Sequence, residues 1–340
     1  MTVPTSPAPV AVVGAGVKTP AGNSVDELWA NLCAARPSAE VFSDDRLPPG
    51  TAALVCRVSG FDPAAYLTPV EVRRLDRSHA LAIGAAADAL GQCGELPDPA
   101  RRAVVCGIGL GAASTYEQQA SRLLEQGLRG LSPLTIPMVM PSSVAAHLSL
   151  RFGFAGPCVT VSAACASGAA AIGEGVELLR RGAADIVLAG GVDSLVGYGA
   201  MCCFLRLDAM SRNVACPELA SRPFDADRDG FVMGEGAGFV VLQRPRDVPI
   251  PGPSRSGWSS GTRPAPTLTT SSRPARTARA RSAAWPWPWQ TPAFAPATWG
   301  TSTRTGPVPC STTAPRRPRS GPCSRGPALR SRPSRARRAT

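Results

Sequence analysis

Cys165 is the residue whose surroundings in this chain best suit nucleophilic chemistry. A β-branched run over residues 159–161 leads into a cluster of small residues, and apolar residues at helical spacing follow over 171–179. This pattern predicts a strand, a tight turn and a helix, with the thiol at the positive end of the helix dipole, where a thiolate is stabilised. Small neighbours such as Ala164 and Gly168 leave room for a substrate that forms a thioester with the sulfur. The alternative is a small buried cysteine packed as a hydrophobe.

The elements that must position this turn belong to an alternating pattern of strands and helices. Apolar runs predict strands over residues 10–17, 103–106, 186–189 and 236–242. Helical periodicity and capping residues predict helices over residues 25–34, 69–92, 115–126 and 144–152, with a Pro- and Ser-rich loop over 132–143. The expected fold class is therefore α/β in layers, with a largely parallel sheet. Gly14 and Gly16 lack the third glycine of a dinucleotide-binding motif.

The formal net charge of +12 is unevenly distributed along the 340 residues. Residues 251–340 contain 16 arginines and no acidic residue, whereas the first 250 residues contain 20 basic and 24 acidic side chains. The body is thus a mildly acidic protein, and the basic character belongs to the tail. The division at residue 250 predicts a folded region over 1–250 and a Pro-, Ser-, Thr- and Arg-rich, disordered tail over 251–340.

The 11 cysteines show no disulfide framework and no CxxC pair, so neither a metal nor a cofactor is expected. The sequence shows no signal peptide and no apolar run long enough to span a bilayer. These features predict a protein of the reducing cytoplasm that does not enter membranes.

Four long motifs between Val10 and Arg246 resemble the β-ketoacyl-acyl-carrier-protein synthases, the condensing enzymes of fatty acid and type II polyketide synthesis. The motifs are VVGAGVKTPAGNSVDELW (12–29), LDRSHALAIGAAADAL (75–90), IPMVMPSSVAAHLSLRFGFAGPCVTVSAACASG (136–168) and SRPFDADRDGFVMGEGAGFVVL (221–242). The resemblance implies a thiolase-like fold of two similar layered halves, of which residues 1–250 would supply the first and the start of the second. It also implies a homodimer, or a heterodimer with a ketosynthase-like partner.

The resemblance further implies which residues form the site. Cys165 would be the acyl-accepting nucleophile, and its backbone N–H would be one half of an oxyanion hole. The positions that line the acyl pocket in the family correspond to Leu110, Ala164, Ala200 and Phe204, for which plain core packing is an equal alternative. The positions that contact the acidic acyl carrier protein, with its phosphopantetheine-bound acyl or malonyl group, correspond to Arg73, Arg74 and Arg129, for which ordinary solvated arginines are the alternative.

The family pattern fails towards the C-terminus. The family completes its site with two histidines downstream of the cysteine, the first in a His-Gly-Thr-Gly-Thr motif, and with a later lysine. This chain has only His79 and His147, both in segments that are structural in the family, and its one lysine is Lys18. The catalytic set is therefore incomplete as the sequence stands.

A frameshift accounts for the tail. Tryptophan has one codon, so a reading frame that joins the third base of each codon to the next two converts each Trp-Pro pair of residues 285–288 into alanine. The same frame permits the missing His-Gly-Thr-Gly-Thr motif within residues 299–313 and an Asp-Ala-His-His sequence around residues 266–270. We infer a frameshift between about Pro245 and Gly261, so that residues 251–340 are an out-of-frame translation.

The expected function is a β-ketoacyl synthase, an acyltransferase that is impaired as written. One alternative is a non-catalytic partner of the chain-length-factor type, although such proteins replace the nucleophile that this chain retains. A thiolase would share the fold, but its motifs match less well. A nucleic-acid-binding protein is suggested only by the basic tail, which lacks the aromatic and glycine spacing of a stacking platform. We therefore expect no nucleic acid as a partner.

Overall fold

The computed structural model describes residues 8–51 and 53–248, together with the backbone of residues 267–268. The strands are β1 (Val10–Lys18), β2 (Glu40–Val41), β3 (Leu54–Cys56), β4 (Arg102–Gly107), β5 (Cys158–Val161), β6 (Ile186–Ser194), β7 (Met233–Gln243) and β8 (Thr267–Leu268). The α-helices are α1 (Val25–Cys33), α2 (Pro69–Arg74), α3 (Arg77–Leu90), α4 (Ala113–Gln126), α5 (Thr135–Val139), α6 (Ser143–Phe152), α7 (Ser167–Arg180) and α8 (Tyr198–Arg206). Apart from β8, the tail predicted over 251–340 lies outside the described residues.

The strands form one sheet in the order β2-β3-β7-β6-β4-β5, and its pairing is mixed. β4 runs parallel to both β5 and β6, because helices connect these strands in sequence. β7 runs antiparallel to β6 along one side, and on its other side it pairs antiparallel with β1 and parallel with β3. The expectation of a largely parallel sheet is therefore wrong, since strand direction depends on the connection before β7 rather than on the strand's own residues.

Apolar side chains cover both faces of the sheet, which explains why its central strands are nearly continuous apolar runs. Val104 of β4 and Leu188 of β6 belong to the core beneath α3 and α6. Val105 and Ala189, their neighbours along the same strands, belong to a second core beneath α7. This alternation is the period of two that a strand imposes on its side chains. α3 and α7 thus pack on opposite faces, and α7 is the helix that follows Cys165.

The single helix predicted over residues 69–92 is two helices, α2 and α3. Leu75 ends α2 in extended backbone, with ψ at 144°. The side chain of Asp76 then caps α3 by accepting a hydrogen bond from the Ser78 N–H at 2.8 Å. The apolar pattern continues across the break, so the capping aspartate was its only sign in the sequence.

Two further boundaries differ from the prediction. The loop expected over residues 132–143 contains the short helix α5. The strand expected to end at Ala189 continues to Ser194 through Gly190 and Gly191, where glycine is needed for close packing rather than for a turn. A Cβ atom on Gly190 would lie 2.1 Å from the Gly238 carbonyl oxygen of β7. Within the part of the chain that the structure describes, no helix is long and apolar enough to cross a membrane.

Candidate active site

Cys165 lies on the turn between β5 and α7, as its flanking residues predict, and it is exposed. Ala164 has a φ of 49°, a left-handed conformation that is uncommon for a residue with a side chain and costs about 1–2 kcal/mol. The turn is closed by hydrogen bonds from the Ala166 N–H to the Ala163 carbonyl and from the Ser167 N–H to the Ala164 carbonyl, both at 3.1 Å. Among the described residues, no acceptor faces the Cys165 N–H, which leaves this donor available to a ligand.

Ser167, the first residue of α7, holds this turn from within. Its buried hydroxyl accepts a hydrogen bond from the Ala163 N–H at 2.9 Å and donates to the Ala164 carbonyl at 2.6 Å. The same oxygen lies 3.2 Å from the carbonyl of Ile108, in the loop after β4. Sequence reasoning did not single out Ser167, although a serine two residues after the cysteine is a typical residue for such a turn.

Glycines allow the N-terminus of α7 to lie directly on the sheet. A Cβ atom on Gly107, at the end of β4, would lie 2.3 Å from the carbonyl carbon of Ser167. A Cβ atom on Gly191 of β6 would lie 2.9 Å from the Cα of Gly168. These approaches exclude any larger side chain without displacement of the helix. The cysteine is thereby held above the C-terminal ends of β4 and β5.

An open cavity of about 330 Å³ adjoins the thiol. Most of its wall is backbone and small side chains, which suits a slender chain rather than a bulky ring. Its lining consists of Gly107, Ala164, Cys165, Ser167, Gly168, Ile172, Gly190, Gly191, Val192, Asp193, Gly236 and Gly238.

Asp193 is the carboxylate in this lining, and its oxygens accept hydrogen bonds from three consecutive backbone N–H groups. Oδ2 accepts from Gly109 at 2.7 Å, and Oδ1 accepts from Leu110 and Gly111 at 3.1 Å each. Residues near this glycine-rich loop in the sequence do not indicate its carboxylate partner. The two segments are more than 80 residues apart in sequence and meet only because β4 and β6 are neighbours in the sheet.

The four residues assigned to an acyl pocket by resemblance occupy different surroundings. Ala164 lines the cavity beside Cys165. Leu110 lies on the loop held by Asp193, outside the lining, and is 60% exposed. Ala200 and Phe204 lie on α8 and also stand outside the lining. Phe204 packs edge-to-face on Phe231, with the ring centroids 5.6 Å apart, beside a separate apolar core.

The three arginines assigned to carrier-protein contact are all exposed. Arg73 and Arg74 form the last turn of α2, and Arg129 lies in a short 3-10 helix, Gly127–Gly130. None of them has an acidic partner within salt-bridge distance among the described residues. Their guanidinium groups therefore remain available to an acidic surface.

The two histidines lie together, away from the cavity lining. Their rings meet edge-to-face with centroids 4.9 Å apart, and His79 Nε2 lies 2.8 Å from the Ser143 hydroxyl. His147 Nδ1 lies 2.8 Å from the Ser143 carbonyl oxygen. Burial and the neighbouring His147 lower the pKa of His79 to about 4, so this imidazole is neutral at physiological pH.

Relatives of known name match the same part of the chain. The sequence matches the N-terminal domain of the β-ketoacyl synthases over residues 8–247. The 3-oxoacyl-[acyl-carrier-protein] synthase 2 of Vibrio cholerae is 34% identical over 240 residues, covering 69% of this chain and 57% of that protein. A Streptomyces cyaneus protein named as a polyketide β-ketoacyl synthase is 37% identical over 247 residues, covering 69% and 58%. The chain thus spans less than two thirds of the length of these relatives.

Solved structures show the same relationship. A β-ketoacyl synthase from Burkholderia phymatum superimposes with a TM-score of 0.64 at 31% identity, over 70% of this chain and 60% of that one. A ketosynthase bound to a hexaketide, in complex with its type II polyketide acyl carrier protein, gives a TM-score of 0.63 at 25% identity, over 71% and 59%. The superpositions confirm the thiolase-like α/β fold expected from the motifs. With its match over residues 8–247, this chain belongs to the β-ketoacyl synthase family.

Proposed function

We propose that this chain carries the acyl-accepting half of a β-ketoacyl-acyl-carrier-protein synthase. The observation that supports it is the exposed Cys165 thiol at the start of α7, beside a free backbone N–H and an open cavity. The Cys165 thiolate attacks the carbonyl carbon of an acyl thioester, and the tetrahedral oxyanion accepts a hydrogen bond from the Cys165 N–H. The carbon–sulfur bond to the carrier then breaks, the carrier leaves as a thiolate that takes a proton from water, and the acyl group remains on Cys165.

The second half-reaction is condensation. The carboxylate of a malonyl thioester leaves as carbon dioxide, and the resulting carbanion attacks the acyl-Cys165 carbonyl. The thioester bond to Cys165 breaks, which yields a β-ketoacyl carrier and returns the thiolate. The family supports this step with two histidines downstream of the cysteine, and this sequence contains none after His147. We propose that the chain as written is impaired in condensation, because the frameshift replaces those histidines.

Acylation is the step that tests the proposal directly. Incubation with a short acyl thioester should add one acyl mass to the intact chain, and Cys165→Ala should abolish the adduct. Cys203→Ala removes another exposed thiol, on α8, and serves as the matched control that keeps the adduct. An adduct that persists in Cys165→Ala, or no adduct in the parent chain, would overturn the assignment of Cys165.

The gene tests the frameshift. Both strands should be resequenced across codons 240 to 315. A gained or lost base would mark the present tail as an artefact, and the restored chain should then condense acyl and malonyl carriers. If the gene sequence is unchanged, the tail is not a recording error. The chain then has the proposed nucleophile without the two downstream histidines that the family uses in condensation. Normal condensation by a frame-restored Cys165→Ala enzyme would contradict the proposed β-ketoacyl synthase mechanism, in which Cys165 accepts the acyl group.

We further propose an acyl carrier protein as the partner that delivers the acyl group. Arg73, Arg74 and Arg129 are exposed and free of acidic neighbours in the described part of the chain, as a surface for an acidic protein requires. Relatives named as a 3-oxoacyl-[acyl-carrier-protein] synthase and as a polyketide β-ketoacyl synthase match the chain at similar identity. The proposed substrate is therefore a carrier-bound acyl group, of either fatty acid or polyketide synthesis. A homodimer, or a heterodimer with a ketosynthase-like partner, belongs to the same proposal.

The alternative of a non-catalytic chain-length-factor type is weaker. One matching structure is a complex of a ketosynthase with its chain length factor, at 27% identity to this chain. The retained cysteine favours the catalytic role, because a partner that only shapes the pocket needs no nucleophile. The acylation experiment separates the two, since a non-catalytic partner would give no adduct.

A further inference from the structure

A second cavity lies apart from the one beside Cys165, and charged and polar side chains line it. Its volume is about 290 Å³, and it shares no lining residue with the cavity beside the thiol. Its walls come from the loop after β1, from α1 and the segment that follows it, and from the residues at β2 and after β3. Arg36 and Arg57 both belong to the lining, so two distant parts of the chain bring a guanidinium group to one small space.

Hydrogen bonds between the walls hold this cavity in shape. Asn31 Nδ2 donates to the Ala21 carbonyl at 2.7 Å, and Asn31 Oδ1 accepts from Arg36 Nη1 at 3.3 Å. Asn23 Nδ2 donates to the Ser59 carbonyl at 2.7 Å, which joins the loop after β1 to the residues after β3. A ligand therefore enters a space that the fold has already formed.

The two guanidinium groups are not neutralised by an equal acidic charge. Among the residues that the structure describes, no carboxylate lies within ion-pair distance of Arg36. Arg57 Nη1 lies 3.7 Å from Glu40 Oε1, a long contact between side chains that are 40% and 55% exposed. Of the residues described around the cavity, two are cationic and one, Glu40, is anionic, which leaves a net positive charge. This balance favours an anionic ligand.

The available donors favour a phosphate group over a carboxylate. A guanidinium group presents a planar fork of N–H donors that fits two oxygens of either anion. In this cavity the two forks belong to separate segments, and Ser38 and Ser59, whose hydroxyls can donate, are part of the same lining. Donors from several directions suit the tetrahedral oxygens of a phosphate, because the two oxygens of a carboxylate share one plane.

We propose that this cavity binds a small phosphate monoester with a hydroxyl-bearing body, such as a sugar phosphate. Arg36 and Arg57 hold the phosphate oxygens, and the Glu40 carboxylate accepts a hydrogen bond from a ligand hydroxyl. The volume is close to the lower limit of ordinary ligand cavities, which matches a ligand of this size. Binding involves no covalent step and does not depend on the proposed reaction at Cys165.

The test titrates ribose 5-phosphate, ribose and inorganic phosphate into the full chain by isothermal calorimetry. Ribose 5-phosphate should bind most tightly, inorganic phosphate more weakly, and ribose not measurably. Arg36→Ala and Arg57→Ala should each weaken binding of ribose 5-phosphate by about 10–100-fold, the loss expected for hydrogen bonds to a charged group. Arg57→Lys keeps a positive charge near the Phe42 ring and should fall between, and it carries the comparison if Arg57→Ala does not fold.

Residues 251–340 contain 16 arginines that can attract any phosphate, and these are the same in every variant. Hydrogen exchange locates the bound ligand, because ribose 5-phosphate should slow the exchange of residues 36–40 and 57–59. Arg212→Ala removes an exposed arginine outside the cavity lining and should keep the parent affinity. Equal weakening by Arg212→Ala, or unchanged exchange in both segments, overturns the proposal.

Glu40→Ala tests the recognition of the ligand hydroxyl. It removes the carboxylate that competes for Arg57, so inorganic phosphate should bind more tightly, while ribose 5-phosphate should lose most of its advantage over inorganic phosphate. No advantage in the parent chain, or one that persists in Glu40→Ala, overturns the hydroxyl-bearing body of the ligand. A parent chain that binds neither phosphate overturns the site itself and leaves the proposed acylation of Cys165 unaffected.

Discussion

Arg77 and Glu235 form an ion pair that joins the start of α3 to the start of β7. Arg77 Nη2 donates to Glu235 Oε1 at 2.6 Å, and Nε donates to Oε2 at 2.7 Å. The Glu235 side chain is fully buried, whereas that of Arg77 is 43% exposed. Burial acts to raise the pKa of Glu235, but hydrogen bonds from Arg77, Ser194 and the Val58 N–H outweigh it and hold the pKa below its usual range.

The first prediction concerns this pair. Arg77→Ala should lower the free energy of unfolding by about 2–3 kcal/mol, because it leaves the Glu235 carboxylate buried without its cation. Arg181→Ala breaks an exposed pair with Glu174 and should cost at most about 1 kcal/mol. Urea unfolding curves measure both changes. Equal, small effects in the two variants would show that the burial of Glu235 carries no penalty.

The second prediction concerns acid stability. The pKa of His79 falls from 6.5 to about 4 on folding, chiefly because of burial. The unfolded chain therefore binds a proton at this site before the folded chain does, and stability is lost as pH falls from about 6.5 towards 4. Among the residues that the structure describes, His79 Nδ1 has no hydrogen-bond partner, so a protonated ring would bury an unsatisfied donor.

His79→Gln removes the titrating group and keeps a donor that can reach Ser143. The free energy of unfolding should then vary less with pH between 6.5 and 4, by up to about 1.4 kcal/mol per pH unit. Denaturant titrations at half-unit pH steps measure the slope. Parallel pH profiles for the parent and the variant would contradict the prediction.

The third prediction concerns the close contact between Gly107 of β4 and the start of α7, the helix that follows Cys165. Gly107→Ala places a Cβ atom 2.3 Å from the Ser167 carbonyl carbon and should displace α7, costing about 1–3 kcal/mol. Iodoacetamide should then alkylate Cys165 at an altered rate. Gly173→Ala, in the same helix, meets no atom within 4 Å and should stabilise the chain by about 0.5–1 kcal/mol. A stable Gly107→Ala variant with normal Cys165 reactivity would refute the close approach.

The fourth prediction concerns carrier-protein docking. Replacement of Arg73, Arg74 and Arg129 by Glu should weaken binding of an acyl carrier protein at low salt. The dissociation constant should rise by about tenfold or more. The difference should shrink at about 0.5 M salt, because screening acts on exposed charges. Arg212→Glu changes an exposed arginine that already pairs with Asp208 and serves as the control. If Arg212→Glu weakens carrier-protein binding equally, the effect comes from net charge and not from the three positions.

Local patterns predicted the main elements of the fold well. The strand at β1, the helix α1 after the Ser24 cap and the turn around Cys165 all lie where their residues indicated. Prediction failed where the decisive partner was distant in sequence. The direction of β7 follows from its connection, and the extension of β6 through glycines follows from its neighbours in the sheet.

Lys18 illustrates the same limit at the level of one residue. A lone lysine at the end of an apolar strand suggests a solvated charge, but its side chain is 3% exposed. Its Nζ donates to Asp88 at 2.6 Å and to the Tyr66 hydroxyl at 2.9 Å. Asp88 lies on α3 and Tyr66 lies in the segment before α2, and only folding brings them to Lys18.

The sequence by itself determined the family and the strand–turn–helix that presents the Cys165 thiol, because both are encoded by contiguous residues and local backbone preferences. The tertiary structure decided what surrounds that thiol. Asp193 reaches the 109–111 loop, and Gly107 meets Ser167, only because β4, β5 and β6 are neighbours in one sheet. Strand order and direction are long-range properties, set by burial of both sheet faces and by chain connections, and no local pattern contains them.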